Sequence, residues 1–346
     1  MKRIISLLLV SLCAACLVSS AVGESFEETI VRVSLRNNKR IDFSSLPEEV
    51  ILDHVYGNGT EAVLYLVDRE HIALLEDLDF NVEVLVNEAP LRARETALES
   101  DRRRQARDPR QDYQFRFDVY HNYVDLVEFL TEINQQYPEI TKLYTIGSAL
   151  PSGRENWVLE MSDNINEDFN EPGEPELNYV SNIHGDETVG RELALRFIHY
   201  MVTGYYDEAN SDHSRIRKLI NENTIAVMPS FNPDGFERGS RTNSNYVDLN
   251  RNFLDQFRGA PRVQQPEALN MVEWLDSRKF ITSISFHGGA IVANYPYDGN
   301  SDNRNVLTPT PDHTTMQYLC RTYAASNSDM LNSREFPGGI VNGAEW

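Results

Sequence analysis

"LNYVSNIHGDETVGRELALRFIHYMV", Leu177 to Val202, is the stretch whose reading decides the fold. It opens as a short, β-rich apolar run and closes, from Leu193, with apolar residues at helical spacing. The turn between them carries His184, Asp186 and Glu187 beside Gly185. A buried strand that passes directly into a helix is the repeating unit of an α/β sheet, where ligands collect at the carboxyl ends of strands. Gly185 permits a tight turn that can bring an imidazole and a carboxylate to one point.

The same alternation extends outward from this stretch. From Asp118 onward "YVDLVEFLTEINQQYP", "TKLYTIGSAL", "NWVLEMS", "LNYVSNI", "ELALRFIHYMV", "TIAVMPS", "PEALNMVEWLDS" and "FITSISFHGG" interleave helical and strand patterns. This predicts an α/β domain with a mixed, largely parallel sheet flanked by helices. Upstream, Thr29 to Val86 reads strand, helix, strand, strand, helix, strand, the pattern of a small ferredoxin-like α+β unit. Asn58 in "NGT" is a glycosylation sequon or simply a hairpin turn. Between the units "LRARETALESDRRRQARDPRQ" starts helix-like and is dense in arginine. It reads either as a solvated connector or, at Arg104-Gln105-Ala106-Arg107, as a processing site.

Composition and address narrow the function. With 346 residues, 41% hydrophobic and 25% charged, the chain is a folded protein. A formal charge of −21 argues against nucleic acid, whose binding needs a basic face, and suits basic substrates better. Lys2 and Arg3, the apolar run from Ile4 to Val18 and the small residues ending at Gly23 form a secretory signal. No later segment approaches a spanning length, so export without a stable membrane anchor is expected. Two of the three cysteines leave with the signal; Cys320 is expected to be a buried small hydrophobe, or to pair with a partner outside this sequence.

An H-x-x-E spacing alone means little, since 8 histidines and 53 acids supply about one H-x-x-[DE] by chance. Here His184 follows a strand and Glu187 stands at the next helix. A catalytic zinc needs three N or O ligands and an open position. The third candidate is His287 in "SISFHGG", again ending a strand and followed by glycine. On spacing alone, two hydrogen-bonded loop histidines are the plainer account. Between them, Asn250 and Arg251 set an amide beside a guanidinium fork that suits a carboxylate, and Arg241 adds a second cation. Such arginines more often pair with a local acid, here Asp248.

The blocks "HGDETVGRE", "MPSFNPDGFE", "SRTNSNYVDLNRNF", "QPEALNMVEWL", "FHGGAIVANYPYD" and "GGIVNGAEW", in this order, resemble the zinc metallocarboxypeptidases, specifically the regulatory branch of carboxypeptidases D, E, M and N. The resemblance runs from about Tyr120 to the end. It implies the zinc carboxypeptidase fold, one Zn2+ held by His184, Glu187 and His287, and Arg241 as the group that polarises the scissile carbonyl. By the same resemblance Asn250 and Arg251 clamp the substrate's terminal carboxylate. Asp298, in "NYPYD", faces a C-terminal Arg or Lys as a buried or half-buried carboxylate, unless it is a mere turn residue.

The implied organisation is a signal peptide at 1–23, a prosegment with its Arg-rich linker at 24–110, and a metallocarboxypeptidase catalytic domain at 111–346. The implied partners are peptide or protein C-termini and an activating trypsin- or furin-like protease. The N-terminal unit departs from the regulatory branch and looks more like the prosegments of the digestive and bacterial branches. "VNGAEW" is similar to the stretch that in the family runs on to a substrate-binding tyrosine and the general-base glutamate, so a truncated C-terminus is expected. Neither Glu335 nor Glu345 stands in that glutamate's motif, and the general base is not present in this chain. The alternatives are a noncatalytic zinc- and peptide-binding relative, or a zinc N-acyl amino acid deacylase on the same fold.

Overall fold

The computed structural model describes residues 28–346 except 38, 44–45, 48–49, 57–58, 67, 107–115, 166–172, 258 and 303. The apolar leader, Asn58 and Arg107 therefore lie outside the described residues.

The N-terminal unit is built from β1 (Thr29–Leu35), β2 (Val50–Tyr56), β3 (Glu61–Leu66), α1 (Glu70–Asp77) and β4 (Phe80–Leu85). Strand order is β2-β3-β1-β4, with every pairing antiparallel. This is the order expected of the ferredoxin-like reading. Between β1 and β2 the described residues hold no α-helix, and Phe43 has 3-10 helical backbone. Alternation in "TIVRVSL" turns Val31 and Val33 inward, where they pack with Leu64, Leu66, Leu75 and Phe80 in a small core of their own.

The arginine-rich connector, expected to start as a helix, is helical as far as it is described, forming the 18-residue α2 (Ala89–Ala106). It lies on α6 (Pro233–Arg238), where Gly239, at φ 65°, lets the backbone of Ala89 approach; a Cβ there would meet the Ala89 carbonyl oxygen at 2.2 Å.

The larger unit follows with α3 (Tyr123–Gln136), β5 (Thr141–Ile146), β6 (Asn156–Met161), β7 (Glu176–Ser181), α4 (Val189–Tyr206), α5 (His213–Asn221), β8 (Thr224–Met228), α7 (Pro266–Asp276) and β9 (Phe280–Phe286). Then come β10 (Ala293–Tyr295), α8 (His313–Ala325), α9 (Ser328–Leu331) and β11 (Ile340–Asn342). The sheet is mixed, in the order β5-β6-β8-β7-β9. β5, β6 and β8 pair antiparallel, while β8-β7-β9 is the parallel part that carries the site.

Period-two alternation splits the strand residues between two cores. Leu159, Met161, Ile225 and Val227 pack under α3, α4 and α5 with Leu126, Phe129, Leu195 and Ile198. Val158, Ala226, Met228 and Val180 face the other way, onto Met271 and Trp274 of α7. Both faces are covered from β6 to β7, whereas at β9 burial alternates and Ile281 is 69% exposed. Cys320 is free and half-buried on α8, more open than the buried position expected of it. No helix of the described residues is long and apolar enough to cross a membrane.

Leu195 is fully buried at the centre of the α4 face. Leu195→Ala is expected to cost about 2–5 kcal/mol through lost burial and the cavity left behind, measurable by urea unfolding.

Candidate metal centre

β7 and β9 are adjacent and parallel, with Ser181 opposite Phe286, so the residues that follow both strands emerge at one edge of the sheet. His287 comes directly after β9, and His184 three residues after β7. The turn after β7 is organised by Asn182, a buried residue at φ 62°. Asparagine is among the few residues that take this left-handed conformation readily. Its Nδ2 donates to the carbonyls of His184 (2.8 Å), Gly185 (3.2 Å) and Glu187 (3.2 Å), while its Oδ1 accepts from Ser230 Oγ at 2.9 Å. Gly185 is wedged against α6, where a Cβ would lie 2.1 Å from the Gly235 backbone carbon. Glu187 then stands two residues ahead of α4.

Three donor atoms converge here. His184 Nδ1 lies 2.9 Å from Glu187 Oε1, His287 Nδ1 lies 3.1 Å from Glu187 Oε2, and the two Nδ1 atoms are 3.3 Å apart. Ligands bonded at about 2.0–2.2 Å to a tetrahedral zinc stand roughly 3.3 Å from one another, so two imidazoles and one carboxylate at these separations suit that ion. The three sequence candidates are the one group among the described residues whose donors gather in this way. Burial works against the Glu187 carboxylate, but hydrogen bonds from His184 and His287 hold it far below the usual range. Burial likewise disfavours protonated His184, yet its hydrogen bonds to Asp248 and Glu187 outweigh that and raise its pKa.

Behind the donors lies Asp248, which the sequence suggested only as a local partner for an arginine. Its Oδ1 lies 3.2 Å from His184 Nε2 and accepts from Asn250 N at 2.8 Å; its Oδ2 accepts from Arg241 Nε at 3.1 Å. Arg241 thus does pair with Asp248, but the pair is buried and shared with a candidate metal ligand. Burial opposes the Asp248 charge, and His184 and Arg241 overcome it, so the carboxylate stays ionised. Asn250 and Arg251, both exposed, sit in a 3-10 turn (Leu249–Arg251) begun by Asp248.

Asp298 departs from expectation in its surroundings. It is exposed rather than half-buried, because the loop that carries it lies at the surface; Asn294 Nδ2 donates to its Oδ1 at 2.8 Å. That oxygen occupies the space beside Gly343, where a Cβ would meet it at 1.7 Å, so only glycine fits there.

The N-terminal unit reaches this edge of the sheet. Tyr65 of β3 donates from its hydroxyl to Asp186 Oδ2 at 3.1 Å, and its ring lies 5.2 Å from the Arg241 guanidinium carbon. Burial raises Asp186 to about 6, against the pull of Arg241. Arg251 Nη2 donates to the Leu52 carbonyl of β2 at 3.3 Å.

The sequence profile of the zinc carboxypeptidases matches residues 126–346, more than half of the chain. This chain belongs to the zinc carboxypeptidase family. One zinc ion is the cofactor of such a carboxypeptidase, in keeping with the donor set of His184, Glu187 and His287. Mouse carboxypeptidase M is 41% identical over 245 residues, covering 66% of this chain and 54% of that protein. The catalytic chain of human carboxypeptidase N is 36% identical over 268 residues, covering 66% and 57%. Mouse carboxypeptidase D is 38% identical over 66% of this chain but only 17% of its own length. The chain thus spans little more than half of the curated relatives it matches, or less.

Among solved structures, the thrombin activatable fibrinolysis inhibitor overlays with a TM-score of 0.61 at 18% identity, covering 93% of this chain and 84% of that one. Carboxypeptidase A from Helicoverpa armigera gives 0.63 at 18%, covering 91% and 80%. That coverage exceeds the span of the family profile, so the likeness of fold takes in the N-terminal unit as well.

Asp248→Asn keeps the shape of the site but removes the charge behind His184. It is expected to weaken zinc binding about 10- to 100-fold, measured by competition with a chromophoric chelator. Because zinc needs deprotonated imidazoles and the His184 pKa is raised, affinity is also expected to fall as pH drops below neutral. A titration of zinc affinity against pH reads this directly.

Proposed function

We propose that this zinc carboxypeptidase hydrolyses the C-terminal residue of peptides or proteins, prefers Arg or Lys there, and is made as a secreted zymogen. The observation that carries the reading is the convergence of His184, Glu187 and His287 with Arg241 tied to the same cluster through Asp248. When bound, zinc supplies a Lewis acid that polarises a peptide carbonyl and brings the pKa of water down to about 7. In this proposal His184, Glu187 and His287 are its ligands. Arg241, its Nε anchored on Asp248, is the cation that meets charge developing on the carbonyl oxygen. Asn250 and Arg251 hold the substrate's terminal carboxylate, and Asp298, steadied by Asn294, attracts a basic final side chain. The carboxylate that would shuttle the proton is not assigned to any residue of this sequence.

Residues 1–23 act as the signal peptide, 24–110 as the activation segment and 111–346 as the catalytic domain. The contacts of Tyr65 and of the Leu52 carbonyl with Arg241, Asp186 and Arg251 support latency: the groups proposed to meet substrate are engaged by the N-terminal unit. A trypsin- or furin-like cut near Arg107, in Arg104-Gln105-Ala106-Arg107, would free that unit.

Peptides ending in Arg, Leu and Asp, tested for binding and for release of the last residue, decide the reading. Tighter binding and faster release of Arg are expected, with Asp298→Asn narrowing the gap; Leu released faster than Arg rejects the pocket. Arg241→Ala is expected to lower turnover by a factor of about 100 to 1,000 while zinc stays bound. Controlled trypsin treatment is expected to raise peptide binding and activity; if both are unchanged after a complete cut, the N-terminal unit is not an inhibitor.

A further inference from the structure

The N-terminal unit is also anchored by a contact made to backbone N–H groups and hydroxyls, and not to the zinc ligands or to the side chains proposed to meet substrate. Glu28, directly ahead of β1 and 6% exposed, inserts its carboxylate into the loop Ser240-Arg241-Thr242. Oε2 accepts from the Arg241 backbone N at 2.8 Å. Oε1 accepts from the Thr242 backbone N at 3.1 Å, from Ser240 Oγ at 2.8 Å and from Thr242 Oγ1. On the other side, Asn87 Nδ2 donates to the Glu28 carbonyl at 3.2 Å, tying the residue to the far end of its own unit.

The receiving loop is rigid in its own right. The Arg241 carbonyl accepts from Gly185 N and from Asn232 Nδ2, both at 3.3 Å, and Asn243 Oδ1 accepts from Asn245 N at 3.0 Å and Val247 N at 3.1 Å. Successive backbone N–H groups pointing one way, flanked by two hydroxyls, make an anion receptor that needs no charged side chain. Hydrogen bonds to an ionised carboxylate are of the stronger kind. All three receiving residues are buried, so the seat is shaped by the domain and not by solvent.

We propose that Ser240-Arg241-Thr242 is a carboxylate-binding site, filled within the chain by Glu28, and that this seat holds the N-terminal unit over the metal centre. Its ligand class is a carboxylate, supplied by an acidic side chain or a small free acid. The site adds a chemical anchor to the latency reading, but its own chemistry does not depend on peptidase activity.

The test uses the full chain, zinc-loaded and without substrate, and reads amide hydrogen exchange. In the wild type the Arg241 and Thr242 amides are expected to be protected. In Glu28→Ala their exchange is expected to rise at least about tenfold, while amides of β7 and β8 stay protected. Sodium formate is expected to restore protection in this variant, and sodium chloride at equal ionic strength is not. Unchanged exchange in Glu28→Ala, or rescue by chloride equal to that by formate, overturns the proposal. Should Glu28→Ala also lose its core protection, Glu28→Gln decides: a rise confined to 240–242 supports the carboxylate site, and wild-type exchange there refutes it. Because no turnover is read, failure here leaves the peptidase reading intact, and failure of that reading leaves this site intact.

Discussion

One buried carboxylate orders the metal centre. Asp248 meets His184 from behind, fixes Arg241 through Nε, and caps the 3-10 turn that presents Asn250 and Arg251. A fully desolvated carboxylate is tolerable only when its oxygens are matched with donors and positive charge, and here those partners are the residues on which the chemistry is proposed to rest. The imidazole that donates this hydrogen bond from Nε2 is oriented and made more basic, while the same acid fixes the Arg241 guanidinium beside it. A change at Asp248 therefore cannot be confined to one role.

The parallel strands β8-β7-β9 provide the frame on which that carboxylate acts. Adjacent strands in register deliver His184 and His287 to one edge, although the two lie 103 residues apart in the chain. Asn182 then gathers the carbonyls of the first turn, so that Glu187 meets both rings. Strands and turn together preorganise the donors, which is what a site with a vacant coordination position requires.

Much of this is legible in the sequence. Apolar runs at period two or at helical spacing mark the strands of the larger unit and helices α3, α4 and α7, because the sheet and these helices bury apolar side chains against one another. The two histidines stand out because each follows a strand and precedes a glycine; Glu187 stands out by its H-x-x-E spacing, and joins them as a zinc ligand through the resemblance to the zinc carboxypeptidases. The bridging role of Asp248 is not legible, since the sequence shows Asp248 near Arg241 but gives no sign that His184 lies behind it. Asn182 stood in the decisive stretch, yet nothing in its identity announces a positive φ. Glu28 is more than 200 residues from the loop it enters, a separation across which periodicity says nothing. The exposure of Asp298 is likewise set by a surface loop whose path has no repeating pattern.

The helical connector bears on how the chain meets other enzymes. Ser100 Oγ and Arg103 Nη2 both donate to Asp125, at 2.8 Å and 3.2 Å, and Arg103 also reaches the Tyr120 carbonyl at 3.3 Å. The last turn of α2 is thereby stapled to the first turn of α3. Endoproteases nick exposed, poorly hydrogen-bonded chain in preference to helix. Arg102, Arg103 and Arg104 therefore amount to fewer usable scissile positions than their number suggests: the backbone must first unravel there, and the staple to Asp125 sets how readily it does.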